Sequence, residues 1–89
     1  MRAISDLKTK QIVSNIRKIR EFRNYTQDYL AAKLNISQNA YSKIELGYSN
    51  ITITRLIHIA EILEIDLVDL VSPDSEDIIQ MRLSFKQAE

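Results

Sequence analysis

Apolar residues recur three or four positions apart along the chain rather than alternating, which is the spacing that lines one face of an α-helix. A first helix is predicted over residues 11–23, where Ile12, Ile16, Ile19 and Phe22 share a face and Arg17, Lys18, Arg20 and Arg23 fill the rest. Thr26 reads as the N-cap of a short second helix to about Lys33, with Asp28 in its first turn and Tyr25 and Leu30 at the two positions of a hydrophobic staple. Leu34, Asn35 and Ile36 form a break, and Ser37 caps a third helix that ends near Leu46. Gly47 stands where a left-handed C-terminal residue is needed, before a loop at Tyr48–Ile51.

Thr52 caps a fourth helix through Leu63, with Ile53 at its start and Leu56, Ile59, Ala60 and Leu63 on its core face. Asp66 reads as the N-cap of a brief fifth helix in which Leu67 and Leu70 face inward, ended by Ser72 and Pro73. Beyond Pro73 a sixth helix is predicted, because Ser75 can cap, Glu76 and Asp77 suit the helix dipole, and Ile78, Met81 and Phe85 align. The expected organisation is an N-terminal extension over 1–10, an all-α domain over 11–73 and a helical tail over 74–89. That tail either folds back on its own domain or pairs with a second copy to form a homodimer.

One Gly and one Pro leave little punctuation for hairpins, which supports the all-α class. The absence of Cys removes disulfide and thiolate-zinc chemistry, and no apolar run reaches the roughly 18 residues of a membrane span. The Met1–Lys10 start lacks the apolar stretch of a signal peptide, so a cytoplasmic protein without membrane contact is expected. Net charge is zero, but residues 1–45 carry nine Lys or Arg against four Asp or Glu, and residues 46–89 carry three against eight. The first half therefore presents a basic surface suited to a polyanion, and the acidic second half suits solvent or a protein partner.

Two short helices joined by a tight turn make a right-angled pair whose second helix has the width that a DNA major groove admits. At its start Gln38 and Asn39 face outward, followed one turn later by Ser42 and Lys43, while Tyr41 and Ile44 point inward. Gln and Asn bond adenine bidentately through N6 and N7, and Lys donates to guanine O6 and N7 or to phosphate. Enzyme chemistry has no comparable support: Glu61, Glu64, Asp66 and Asp69 cluster in sequence without a nucleophile, a glycine loop or metal-ligand spacing. The lone His58 has no metal-binding neighbours, so neither a metal nor a cofactor is expected.

Thr26-Gln27 with Leu30-Ala31, then Ser37-Gln38 with Tyr41-Ser42-Lys43-Ile44-Glu45 and Gly47, resembles the phage Cro and repressor-like helix-turn-helix family, also called XRE. The match covers roughly residues 12–71 and implies a five-helix lambda-repressor-like domain. The resemblance makes Ala31 the small residue at a close helix crossing and pairs Arg20 with Glu45 in a structural salt bridge. It implies base contacts from Gln38, Asn39 and Lys43, and backbone contacts from Gln27, Ser37, Ser42, Tyr48, Ser49 and Asn50. The function it implies is sequence-specific binding of double-stranded DNA at a pseudo-palindromic operator by a transcriptional repressor. The alternative is a protein-interaction module such as the antitoxin of a toxin and antitoxin pair. Two departures stand out: Tyr29 replaces the Glu that completes a capping box, and the Tyr48–Ile51 loop carries no Lys or Arg.

Overall fold

The computed structural model describes residues 4–72, with side chains from Leu7 onward. The predicted sixth helix, the boundary at Pro73 and the two roles weighed for residues 74–89 lie outside the described residues. Within them the chain forms α1 (Ile4–Phe22), α2 (Gln27–Leu34), α3 (Gln38–Glu45), α4 (Ile53–Leu63) and α5 (Leu67–Leu70), and no strand. This is the all-helical, lambda-repressor-like architecture. Helix α2 packs most extensively on α3, α1 lies against α3, α4 and α5, and α4 also packs on α2 and α5.

Threonine and serine side chains start the middle helices. The hydroxyls of Thr26, Ser37 and Thr52 accept hydrogen bonds from the amides of Tyr29, Ala40 and Arg55, each at 3.0–3.1 Å. Each bond satisfies one of the amides that a helix start leaves without an internal partner. Asp66 has the extended backbone of a cap before α5, but its side chain makes no capping bond, contrary to the sequence-based expectation. Its carbonyl instead accepts from the Leu70 amide at 3.0 Å, and burial of Leu70 holds the short helix in place.

Four helices stop in the same way. Asn24, Asn35, Gly47 and Glu64 all have positive φ, at 62°, 60°, 79° and 58°. The following amides of Tyr25, Ile36, Tyr48 and Ile65 each reach back to the carbonyl five residues earlier. This is the paired-bond stop that a left-handed residue permits. Asn and Gly enter that conformation readily, whereas Glu64 does so against the steric preference of its Cβ.

One core unites all five helices: Ile16 and Ile19, Leu30 and Ala31, Tyr41 and Ile44, Leu56, Ile59, Ala60 and Leu63, and Leu70. Ala31 is buried against this core, and its lack of a longer side chain permits the close approach of α2. Ile53 starts α4 as expected and is 66% exposed. It sits in the first turn of α4, three and seven residues before Leu56 and Ala60 and so on their side of the helix, but at an end that stays open.

The first helix is longer than its apolar spacing predicts, starting at Ile4 instead of about residue 11. Residues 4–10 contain no Gly or Pro, so the backbone hydrogen-bond ladder runs on through a segment in which Leu7 is exposed. The segment assigned to an N-terminal extension is therefore continuous with α1 from Ile4. Asn15 is also fully buried on this helix, though polar. Its Nδ2 donates to the Leu70 carbonyl at 2.9 Å and the Ser72 carbonyl at 2.5 Å, and its Oδ1 accepts from Gln11 at 3.0 Å. Asn15 thus ties the end of α5 to α1. Arg23 has a similar long-range role: its guanidinium donates to the carbonyls of Leu63 and Glu64 at 3.0 and 3.1 Å, capping the C-terminus of α4.

Candidate nucleic-acid interface

The turn between α2 and α3 depends on Asn35, whose left-handed backbone lets the amides of Asn35 and Ile36 bond the carbonyls of Ala32 and Ala31. Ser37 then resumes an extended backbone and caps α3. Helix α3 buries Tyr41 and Ile44 and leaves Gln38, Asn39 and Lys43 exposed, with Ser42 half-buried between them. The outward face is therefore short, polar and uninterrupted over its first two turns. Leu46, beyond the end of the helix, extends that side as an exposed apolar residue.

A buried carboxylate fixes the angle of this helix. Glu45 is the last residue of α3, and its side chain is 3% exposed. Arg20 on α1 grips it as a fork, Nε to Oε2 at 2.6 Å and Nη2 to Oε1 at 3.1 Å. Gln27 Nε2, at the start of α2, donates to Oε1 at 3.1 Å, and the Tyr41 hydroxyl donates to Oε2 at 2.5 Å. Arg20 also donates through Nη1 to the Tyr25 carbonyl at 2.9 Å. One carboxylate therefore joins α1, α2 and α3.

Burial disfavours the charged form of Glu45, but the hydrogen bonds from Arg20, Tyr41 and Gln27 outweigh it and hold the carboxyl below its ordinary range. The bond to Glu45 raises Arg20 against the opposing effect of burial. Tyr41 is pushed up, first by burial and then by its bond to the carboxylate. All groups thus stay in the protonation states that the network requires at neutral pH.

A helix-turn-helix family model matches residues 16–70, more than half of the chain. The chain belongs to the helix-turn-helix family, of the XRE type. A relative named as an uncharacterised HTH-type transcriptional regulator from Sinorhizobium fredii is 33% identical over 67 residues, covering 75% of this chain and 87% of its own length. No solved structure matches at a significant level.

Around the helix-turn-helix, the remaining expected contact residues fall into two groups. Gln27 and Ser37 have structural engagements: the Gln27 amide group is bound to Glu45, and the Ser37 hydroxyl caps α3. Tyr48 and Asn50 are exposed and Ser49 half-buried in the loop after α3. Tyr29, which interrupts the capping box, packs its ring against Tyr25 at a tilt of 41° with centroids 4.6 Å apart, and Lys33 Nζ lies 5.6 Å from the Tyr29 ring centre. Residue type and spacing alone do not single out Asn15, the capping role of Arg23, or Arg55 beside the α3–α4 loop. Among the described residues no cluster of His, Asp or Glu could hold a metal ion, and no helix is long and apolar enough to cross a membrane.

Proposed function

We propose that this helix-turn-helix protein binds double-stranded DNA sequence-specifically and acts as a transcriptional repressor by occupying its operator. The observation that carries the reading is the outward face of α3: Gln38, Asn39 and Lys43 exposed on a helix whose other face is buried and whose end is clamped through Glu45. Family membership and the name of the Sinorhizobium relative support the same function.

With α3 in the major groove, Gln38 and Asn39 bond adenine edges and Lys43 reaches guanine or a phosphate. Register comes from backbone contacts. On the α2 flank, Thr26 caps the Tyr29 amide and leaves the amides of Gln27 and Asp28 to an anion, assisted by Ser37 and Ser42. On the other flank, the loop of Tyr48, Ser49 and Asn50 lies along a phosphate strand. An eight-residue recognition helix offers few base contacts. Two copies on a pseudo-palindromic site, with their recognition helices about 34 Å apart, double the readout.

The test is selection of bound sequences from a random DNA pool, followed by titration of the selected duplex and a scrambled one. Gln38→Ala is expected to lose about 1–3 kcal/mol on the selected duplex and little on the scrambled one. Equal binding of both duplexes by parent and mutant would remove Gln38 as a reader. Absence of any duplex binding at low salt would instead favour a protein-interaction module such as an antitoxin.

A further inference from the structure

Helix α3 has two edges along its exposed face, and they differ in what lies beside them. The Glu45 edge is occupied by Gln27 of α2, bonded at 3.1 Å. Along the opposite edge runs a half-open groove of about 220 Å³ between α3 and the start of α4. Ile36, Ala40, Ile44 and Ile51 give it an apolar floor, and Ser49 and Asn50 from the loop, the cap Thr52 and Arg55 from α4 add its polar groups. In residues 46–72, Arg55 is the sole Lys or Arg.

Arg55 is half-exposed, and its side chain makes no hydrogen bond or ion pair among the described residues, whereas Arg20 and Arg23 are bound internally. Arg55 also lies in the first turn of α4, where the helix dipole is positive and disfavours a cation. A conformation that sets a cation there, beside Ser49, Asn50 and the Thr52 cap, is electrostatically satisfied when an anion enters the groove. The Tyr48–Ile51 loop lacks a cation of its own, and Arg55 brings one to the same recess from the next helix.

We propose that Arg55 binds a DNA backbone phosphate in this groove, on the flank of α3 opposite α2. The assignment rests on the DNA-binding reading above and specifies one of its contacts. A helix in the major groove has one phosphate strand on each side of it, across a width of about 12 Å. With α2 meeting one strand and Arg55 the other, α3 is held from both flanks and cannot roll about its axis. Such a contact carries no sequence information, so its loss weakens all duplexes alike.

The experiment is a titration of the full chain with selected and scrambled duplexes from 50 to 200 mM salt, comparing the parent with Arg55→Gln and Arg55→Lys. Loss of one phosphate contact lowers the slope of log affinity against log salt by about 0.9, so the advantage of the parent over Arg55→Gln shrinks about 3.5-fold across that range. Arg55→Gln weakens both duplexes by the same factor, and Arg55→Lys keeps the parental slope. The Thr52 cap remains in Arg55→Gln, so its melting temperature stays at or above that of the parent. If the parent binds and Arg55→Gln keeps its slope, the Arg55 assignment is overturned while DNA binding stands. If Arg55→Gln weakens only the selected duplex, Arg55 reads a base and the phosphate assignment is again overturned. If the parent binds no duplex even at 50 mM salt, the underlying DNA-binding reading fails first.

Discussion

Replacing Glu45 with Ala is the most demanding perturbation of this fold that leaves its apolar core untouched. The carboxylate accepts from Arg20 twice, from Gln27 and from Tyr41, and the Arg20 and Glu45 side chains are 11% and 3% exposed. Its removal strands the Arg20 guanidinium and the fully buried Tyr41 hydroxyl. Breaking one side of such a pair costs about 3–5 kcal/mol. Arg20 keeps its bond to the Tyr25 carbonyl at 2.9 Å and lies 4.0 Å from Glu21, so the lower end applies. At about 4–8 °C per kcal/mol for a domain of this size, a loss of about 3 kcal/mol lowers the melting temperature by roughly 12 °C or more.

Thermal and urea melts of Arg20→Ala, Glu45→Ala and the double mutant measure the effect. Each single mutant leaves the other partner buried and unmatched, whereas the double mutant does not, so the double should cost less than the sum by on the order of 1–3 kcal/mol. Additivity within about 0.5 kcal/mol would falsify the clamp, as would a Glu45→Ala cost below about 1 kcal/mol. The pH dependence has a definite sign, because the Glu45 carboxyl is held below its usual range. Its contribution is complete above the ordinary carboxylate value of about 4.3 and is lost as pH falls through the lower folded value. The stability gap between parent and Glu45→Gln is therefore constant near neutrality and closes on acidification.

Other positions separate side-chain from backbone effects. Asn15→Ala removes the donor to the carbonyls of Leu70 and Ser72 and is expected to cost about 1–3 kcal/mol in urea unfolding, with faster amide exchange in α5. A neutral result would mean that water replaces the bond without loss. Gly47→Ala is expected to cost about 1–2 kcal/mol through its φ of 79° alone, since an added Cβ meets only Val13 Cγ2 at an ordinary 4.0 Å. The reverse change at Glu64, to Gly, should stabilise by about 0.5–1 kcal/mol, and a lower melting temperature for Glu64→Gly would show that its side chain contributes more than its backbone strain costs.

Features set by near neighbours in the chain are legible in the sequence itself. Thr26, Ser37 and Thr52 each cap the helix that follows through the amide three residues ahead, Asn35 and Gly47 take the left-handed backbone, and Tyr41 and Ile44 turn inward from a polar face. These depend on interactions within a single helical turn, which residue type and spacing encode directly. The fold class and the outward face of α3 follow from them. The start of α1 at Ile4 is not legible in this way, because apolar spacing marks where a helix meets a partner and not where its backbone ladder ends.

Long-range pairings decide the remaining features. Asn15 meets carbonyls 55 and 57 positions away, Arg23 caps a helix 40 positions away, and Gln27 joins the Arg20–Glu45 fork from a third helix. In sequence these residues are polar positions on amphipathic helices, indistinguishable from solvated ones. Arg55 reads the same way until α4 brings it to the groove beside Ala40. Ile53 has the opposite history, an apolar residue in register that no neighbour covers. The physical reason is common to all of them: a side chain's local periodicity sets its direction on its own helix, but the packing of helices against one another determines what lies in that direction.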